Sequence, residues 1–184
     1  MATGVRDRMI ESAVELLQRR GLAGMSFTEV LAASGGARGA IYHHFPGGKE
    51  QLARAAADRN ARMVLDHLSR LPEDTAHTLA SAFFDSVRPV VAASAQGGGC
   101  AVAAVTVDSG GSAGTLLATA ASAFDSWIDQ LSGKFSNAGL SRDEARNAAT
   151  LLITVLQGAH VLCRTAQTLE PFDRAVAACL PTFG

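Results

Sequence analysis

Ser26-Phe27-Thr28-Glu29-Val30-Leu31-Ala32-Ala33-Ser34-Gly35-Gly36-Ala37-Arg38-Gly39-Ala40-Ile41-Tyr42-His43-His44-Phe45-Pro46 is the stretch on which the fold turns. It opens with S-x-x-E, the capping-box pattern in which a serine and a glutamate satisfy the free amides of a helix start. Phe27, Val30 and Leu31 give that helix an apolar face, and Gly35-Gly36 ends it. A second short segment runs from about Ala37 to His44 and stops ahead of Pro46, because proline disfavours helical geometry in the residue before it. Two short helices about a glycine-containing turn form a helix-turn-helix.

Outward from this stretch the pattern stays helical. Upstream, residues 5–20 carry Met9, Ile10, Ala13, Val14, Leu16 and Leu17 at helical spacing, with Arg19 and Arg20 in the last turn and Gly21 as a stop. Downstream, Gly47-Gly48 opens a long helix to about Leu71 that carries Leu52, Ala56, Met63, Val64 and Leu68 and is broken by Pro72. Thr75 to Ser94 reads as a helix with Leu79, Phe83, Phe84 and Val87 inward and a kink expected at Pro89. After Gly97-Gly98-Gly99, the run AVAAVTV at 101–107 is ambiguous between strand and helix on periodicity alone. Ala113 to Phe135 is helical. A second capping box, Ser141-Arg142-Asp143-Glu144, opens an apolar helix to about Leu169, and a last helix follows Pro171. The expectation is an all-α protein: an N-terminal three-helix helix-turn-helix domain over 1–47 and a helical domain over 48–184, with no internal repeat.

Composition narrows the function classes. With 48% hydrophobic and 18% charged residues in a chain of 184, a disordered chain is excluded. Residues 1–62 hold nine Lys/Arg against six Asp/Glu, and residues 63–184 hold seven against eleven. A basic head on an acidic body suits contact with a polyanion at one end only. Cys100, Cys163 and Cys179 form no CxxC pair and are expected to be reduced thiols in a cytoplasmic protein. The N-terminus is too polar for a signal peptide, and no uncharged apolar run of about 18 residues suggests a membrane partner. His67, His77 and His160 share no ligand spacing, so neither a metal nor another cofactor is expected.

Two loop motifs could suggest an enzyme. Asp108-Ser109-Gly110-Gly111 is similar to the nucleophile loop of trypsin-like proteases, and Gly110-Gly111-Ser112-Ala113-Gly114 matches the G-x-S-x-G elbow of hydrolases. Ser112, Asp143 and His160 even follow hydrolase order. The elbow requires a strand within a sheet, so a helix-to-helix loop is the better reading and a serine hydrolase a remote alternative.

From Ile10 to Leu52, about a quarter of the chain, the sequence resembles the DNA-binding domain of the TetR repressor family. The match is carried by Arg20-Gly21, Ser26-Phe27-Thr28-Glu29-Val30, Ser34-Gly35, the run Arg38-Gly39-Ala40-Ile41-Tyr42-His43-His44-Phe45-Pro46, and Lys49-Glu50-Gln51-Leu52. The body is similar to one branch of that family, in which Gly99-Cys100 opens a short helix, Trp127 sits on the next long helix, and Leu156-Gln157-Gly158-Ala159 lies in a late one. The resemblance implies that AVAAVTV is helical. Two departures stand out: family members usually have an apolar residue where Gly36 stands, and Ser or Thr where Ala37 stands. Without a capping side chain, a deficit typically worth about 1 kcal/mol, the recognition helix is expected to fray in free protein and order on DNA.

The resemblance implies a homodimer on a palindromic double-stranded operator, repressing transcription until a small apolar effector releases it; an activator or corepressor-dependent regulator of the same fold is the alternative. In such a protein Arg38 could fork onto guanine or phosphate, Gly39 would let the backbone approach, and Ala40 could touch a thymine methyl. Tyr42 and His43 stand where family members contact phosphates, while Thr28 and Lys49 begin helices whose free amides already favour phosphate. Ile41 and Phe45 would pack inward on Val30 and Leu17. The candidate effector lining is Phe83, Phe84, Val87, Val102, Phe124, Trp127, Leu131, His160 and Cys163, and the candidate dimer seam is Leu152, Leu156, Ala159, Leu162, Val176 and Leu180.

Overall fold

Glycines and caps set the element boundaries. In the computed structural model, described for residues 4–37, 39–107 and 113–184, α1 (Val5–Gly24) is interrupted at Gly21, whose φ of 70° and ψ of −177° lie outside helical geometry. Ser26 caps α2 (Phe27–Ser34) by accepting from the Glu29 amide at 3.2 Å, and Gly35 closes it in the left-handed region at φ 68°. The elements that follow are α3 (Ala40–His44), α4 (Gly48–Ser69), α5 (Ala76–Ala95), α6 (Ala101–Val107), α7 (Ala113–Asn137), α8 (Arg142–Ala166) and α9 (Glu170–Cys179), ending in a 3-10 turn, Leu180–Phe183. No strand occurs among the described residues, and AVAAVTV is the helix α6. The Ser141 capping box forms in full, with Glu144 accepting from the Ser141 amide at 3.0 Å. The S-x-x-E of α2 forms only in half, because Glu29 turns to Arg20 and the Ser26 hydroxyl instead of the Ser26 amide. α5 continues through Pro89, where the kink was expected, as one helix. Arg38 and Ser112 lie outside the described residues.

The chain forms two compact units, which cut it elsewhere than the expected boundary at residue 47. The first comprises Met1–Arg62 with Cys100–Ala123. Its core is Met9, Leu17, Met25, Val30, Ile41, Phe45, Leu52 and Ala56, joined by Val102 and Val105 of α6, which packs on α1. That packing places a segment from the middle of the sequence beside the N-terminal helices. Arg8 ties α1 to the end of α2 by donating from Nε to the Ser34 carbonyl at 3.0 Å. Glycine at position 36 has a structural reason: a Cβ there would stand 2.6 Å from the Cε of Met9, itself fully buried. The thioether fills the space that an apolar residue at 36 would take.

The second unit comprises Met63–Gly99 with Phe124–Gly184. α5 and α9 both pack against α8. Phe83, Phe84 and Phe172 form a chain of edge-on rings, with the Arg88 guanidinium 5.9 Å from the centre of Phe172 and ion-paired to Asp173 at 2.8 Å. Met63 is 56% exposed. By length and composition α8 is apolar enough to cross a membrane, but its inner face is the core of this unit.

One charge is buried in that core. Lys134 on α7 is only 4% exposed and donates to the Leu71 carbonyl at 2.8 Å and to Glu73 at 2.6 Å. It thereby pins the connection between α4 and α5. The bonds to Lys134, then to Asn137, hold the Glu73 carboxyl below its usual range. A lowered folded-state value means that this carboxylate stabilises the fold at neutral pH, and that the contribution fades as pH falls through and below the usual 4.5. Lys134→Ala is expected to cost about 2–4 kcal/mol in urea unfolding, since it removes two charge-assisted bonds and leaves a cavity. The variant should also lose stability less steeply than the parent between about pH 5 and roughly pH 3; equal midpoints at neutral pH would refute the pinning role.

Candidate nucleic-acid interface

α3 is a five-residue helix with one face inside the protein. Ile41 and Phe45 are 1% and 0% exposed, and Val30 and Leu17 are buried with them. Helical spacing then turns Tyr42 and His43 outward, and both are exposed. Tyr42 is 65% exposed yet positioned, its ring meeting Phe27 edge-on at 5.7 Å between centres. His43 is held similarly by His44, at 5.2 Å. In the linear pattern Phe27 is simply an apolar position of α2; its use as a support for Tyr42 carries no signal there.

Thr28 is exposed in the first turn of α2. Gly39 is exposed, with open space where a Cβ would stand, and Ala40 is half-buried. α3 begins at Ala40 with Gly39 before it, so Ala37 is not at the cap; its carbonyl instead accepts from the Ala40 amide at 2.9 Å. The helix start still has no side-chain cap. At α4, Gln51 reaches back to accept from the Gly47 amide at 2.8 Å. The Lys49 ammonium donates to the Ala23 carbonyl at 3.2 Å, which fixes it beside the end of α1 with donors left over for another acceptor. Opposite charges steady the helix pair: Arg20 is ion-paired with Glu29, whose carboxyl is held low first by the Ser26 hydroxyl and then by Arg20.

A short helix with a buried apolar face and an exposed Tyr-His edge, set against a second helix by a glycine turn, is a helix-turn-helix. The family model for bacterial regulatory proteins of the tetR family matches residues 9–56, and the model for the C-terminal domain of LmrA/YxaF-like transcriptional regulators matches residues 75–178. The chain belongs to the TetR family. An uncharacterised HTH-type transcriptional regulator of Mycobacterium tuberculosis, Rv0196, is 33% identical over 92% of this chain and 89% of its own. A TetR regulator from Legionella pneumophila superposes with a TM-score of 0.83 over the whole of both chains at 22% identity. CifR, solved in complex with 26bp double-strand operator DNA, shares the fold with a TM-score of 0.74 at 21% identity over 100% of this chain and 99% of that one. This TetR-family protein is a DNA-binding transcriptional regulator and not an enzyme.

Geometry also disposes of the hydrolase. Asp143 and His160 lie on one helix, 17 residues and so about 25 Å apart along its axis. His160 is bonded to Ser94 instead, at 2.7 Å. No metal-binding cluster occurs among the described residues.

The expected effector residues fall in two places. Phe83, Phe84, Val87, Trp127, Leu131, His160 and Cys163 are buried in the second unit, with Phe124 half-buried against Trp127, whereas Val102 belongs to the first unit. The expected dimer residues mostly point inward. Leu152, Leu156 and Ala159 are 0%, 7% and 3% exposed, and Val176 and Leu180 are half-buried. Of that set only Leu162 is open, at 57%, beside Val161 at 64% and Leu151 at 40%. α8 carries two apolar stripes, and most of the residues expected at the seam belong to the one that fills the protein's own core.

Tyr42→Ala and Lys49→Ala are each expected to weaken operator binding about tenfold while leaving the circular-dichroism spectrum unchanged. The slope of log affinity against log salt should fall by roughly one for Lys49→Ala, which removes a cation, and stay as it is for Tyr42→Ala, which removes a neutral hydroxyl. Unchanged affinity in both variants would remove these side chains from the interface.

Proposed function

We propose that the protein is a dimeric repressor that binds a palindromic operator in the cytoplasm and is released by a small apolar effector held in the second unit. The observation that carries the reading is the contrast between buried Ile41 of α3, with Phe45 just after it, and the exposed Tyr42/His43 edge. That edge, with Thr28, Gly39, Ala40 and Lys49, offers hydrogen-bonding and small groups to a major groove and its phosphates, with Arg38 beside them in sequence. CifR's operator complex supports a DNA partner for this fold.

Dimerisation fits the outer stripe of α8. Leu151, Val161 and Leu162 are large apolar side chains left exposed, and Gly158 lies between them at helical spacing. A two-fold axis along this stripe would pair it with itself and give a four-helix seam with α9. Two heads must then sit about 34–36 Å apart to enter successive major-groove faces. An effector that binds better to a dimer with its heads at another spacing shifts the population off DNA, by no more than its differential affinity. α4 contributes residues to both units and is the element through which such a shift would pass.

Footprinting of the purified protein on genomic DNA tests the reading. Protected sites with two-fold symmetry are expected, and no salt-sensitive specific site at all would overturn it. Leu162→Glu should convert the protein to a monomer in sedimentation and weaken operator binding at least about a hundredfold, as two like charges would meet at the seam. A dimer that survives this change is not built on the outer stripe.

A further inference from the structure

One buried side-chain nitrogen in the second unit has no hydrogen-bond partner. The Gln157 Nε2 is fully buried and makes no hydrogen bond, and it is the one such side-chain nitrogen or oxygen among the described residues. Leaving a buried donor unpaired is costly, so a protein that pairs its buried polar groups elsewhere is expected to supply this one with a partner.

A second buried polar group stands one turn further along α8. His160 is 7% exposed, and its Nδ1 lies 2.7 Å from the Ser94 hydroxyl on α5. That hydroxyl has a single proton and also meets the Val90 carbonyl at 3.2 Å, so both contacts form together only when the ring carries its hydrogen on Nδ1. In that tautomer the Nε2 of the ring is an acceptor, and no described residue bonds it. Burial pushes His160 down to about 4, which keeps the ring neutral in the cell. Residues three apart on a helix are neighbours, with Cβ atoms about 5–6 Å apart. Gln157, with its unpaired donor, and His160 are such neighbours on α8. The cation on the same flank, Arg164, is exposed and donates to the Gly98 carbonyl at 3.4 Å.

We infer that Gln157 and His160 form a polar recognition point for an uncharged effector, selecting a group that accepts and donates a hydrogen bond at once, such as a hydroxyl or a carboxamide. The inference rests on the effector reading under the proposed function and adds its chemistry. Gln157 donates to the ligand oxygen, and the ligand's own hydrogen goes to His160 Nε2. Ser94 is a positioning residue that fixes the tautomer. An ionised ligand would be desolvated here with no opposite charge to meet it, so carboxylates and amines are rejected.

Calorimetric titration of the full-length protein with 2-naphthol, 2-methoxynaphthalene, naphthalene and 2-naphthoate tests this. All four present the same ring system. 2-Naphthol is expected to bind about tenfold tighter than naphthalene or the methyl ether, with the carboxylate weakest. Gln157→Met keeps the volume and removes the unpaired donor, so it should leave the melting temperature equal or higher and abolish the preference for naphthol while retaining naphthalene. His160→Leu should erase the distinction between naphthol and its methyl ether. Equal binding of all four probes, tightest binding of the carboxylate, or a naphthol preference that survives Gln157→Met overturns the recognition point but keeps an apolar pocket. Failure of every probe to bind overturns the effector reading together with it.

Discussion

The burial of Ile41 and Phe45 is the constraint on which the exposed Tyr42–His43 edge depends. α3 has five residues, too few to hold a helix by its own hydrogen bonds, and no side chain caps its start. What holds it is the apolar face, which is 1% exposed at Ile41 and 0% at Phe45. Anchoring those two positions leaves no freedom for the others: at about 100° per residue, Tyr42 and His43 must face out. The surrounding core therefore sets the position of that edge. Met9 occupies the space above Gly36, and the Arg6 guanidinium lies over the Phe45 ring at 5.2 Å. A change at either could move the Tyr-His edge without touching a residue on it.

α8 shows how one sequence serves two kinds of contact. Its inner stripe of Ala145, Ala149, Leu152, Leu156 and Cys163 is closed off by the protein's own helices. Its outer stripe of Leu151, Val161 and Leu162 is not. A helix apolar on both sides would otherwise expose a patch of the kind that monomers rarely leave open. The small Gly158 within that outer stripe permits close approach of a second helix.

Much of this is legible in the sequence because it depends on local rules. Gly35 and the capping residues Ser26 and Ser141 mark helix ends through backbone geometry, and all three do so here, whereas Gly21, expected as a stop, only interrupts α1, which runs on to Gly24. The inward positions of α3 follow from periodicity. What is not legible depends on tertiary choice. Two apolar stripes on α8 look alike in sequence, and helical spacing alone favours the inner one as the seam. Periodicity leaves α6 undecided, and nothing local shows that it packs on α1 and joins the first unit. Glu29 has two possible partners, and only folding reveals that Arg20 takes it from the Ser26 amide. Gln157 is visible in the sequence only as part of a motif, because an unpaired donor is a property of surroundings, not of residue type.

The contrast between Lys134 and Gln157 gives that last point its force. Lys134 carries a full charge into the core, and the fold answers it with a carbonyl at 2.8 Å and a carboxylate at 2.6 Å. Ser94 and His160, also buried, answer each other. Gln157 is easier to satisfy than an ammonium, since a single carbonyl or hydroxyl would do. It could equally be dispensed with, since methionine or leucine would fill the same volume without a polar atom. A fold that meets the harder demand and leaves the easier one open has kept a hydrogen-bond donor for something outside its own chain. Because that donor stands one turn from a neutral imidazole, the chemistry it awaits is a neutral polar group on an otherwise apolar molecule.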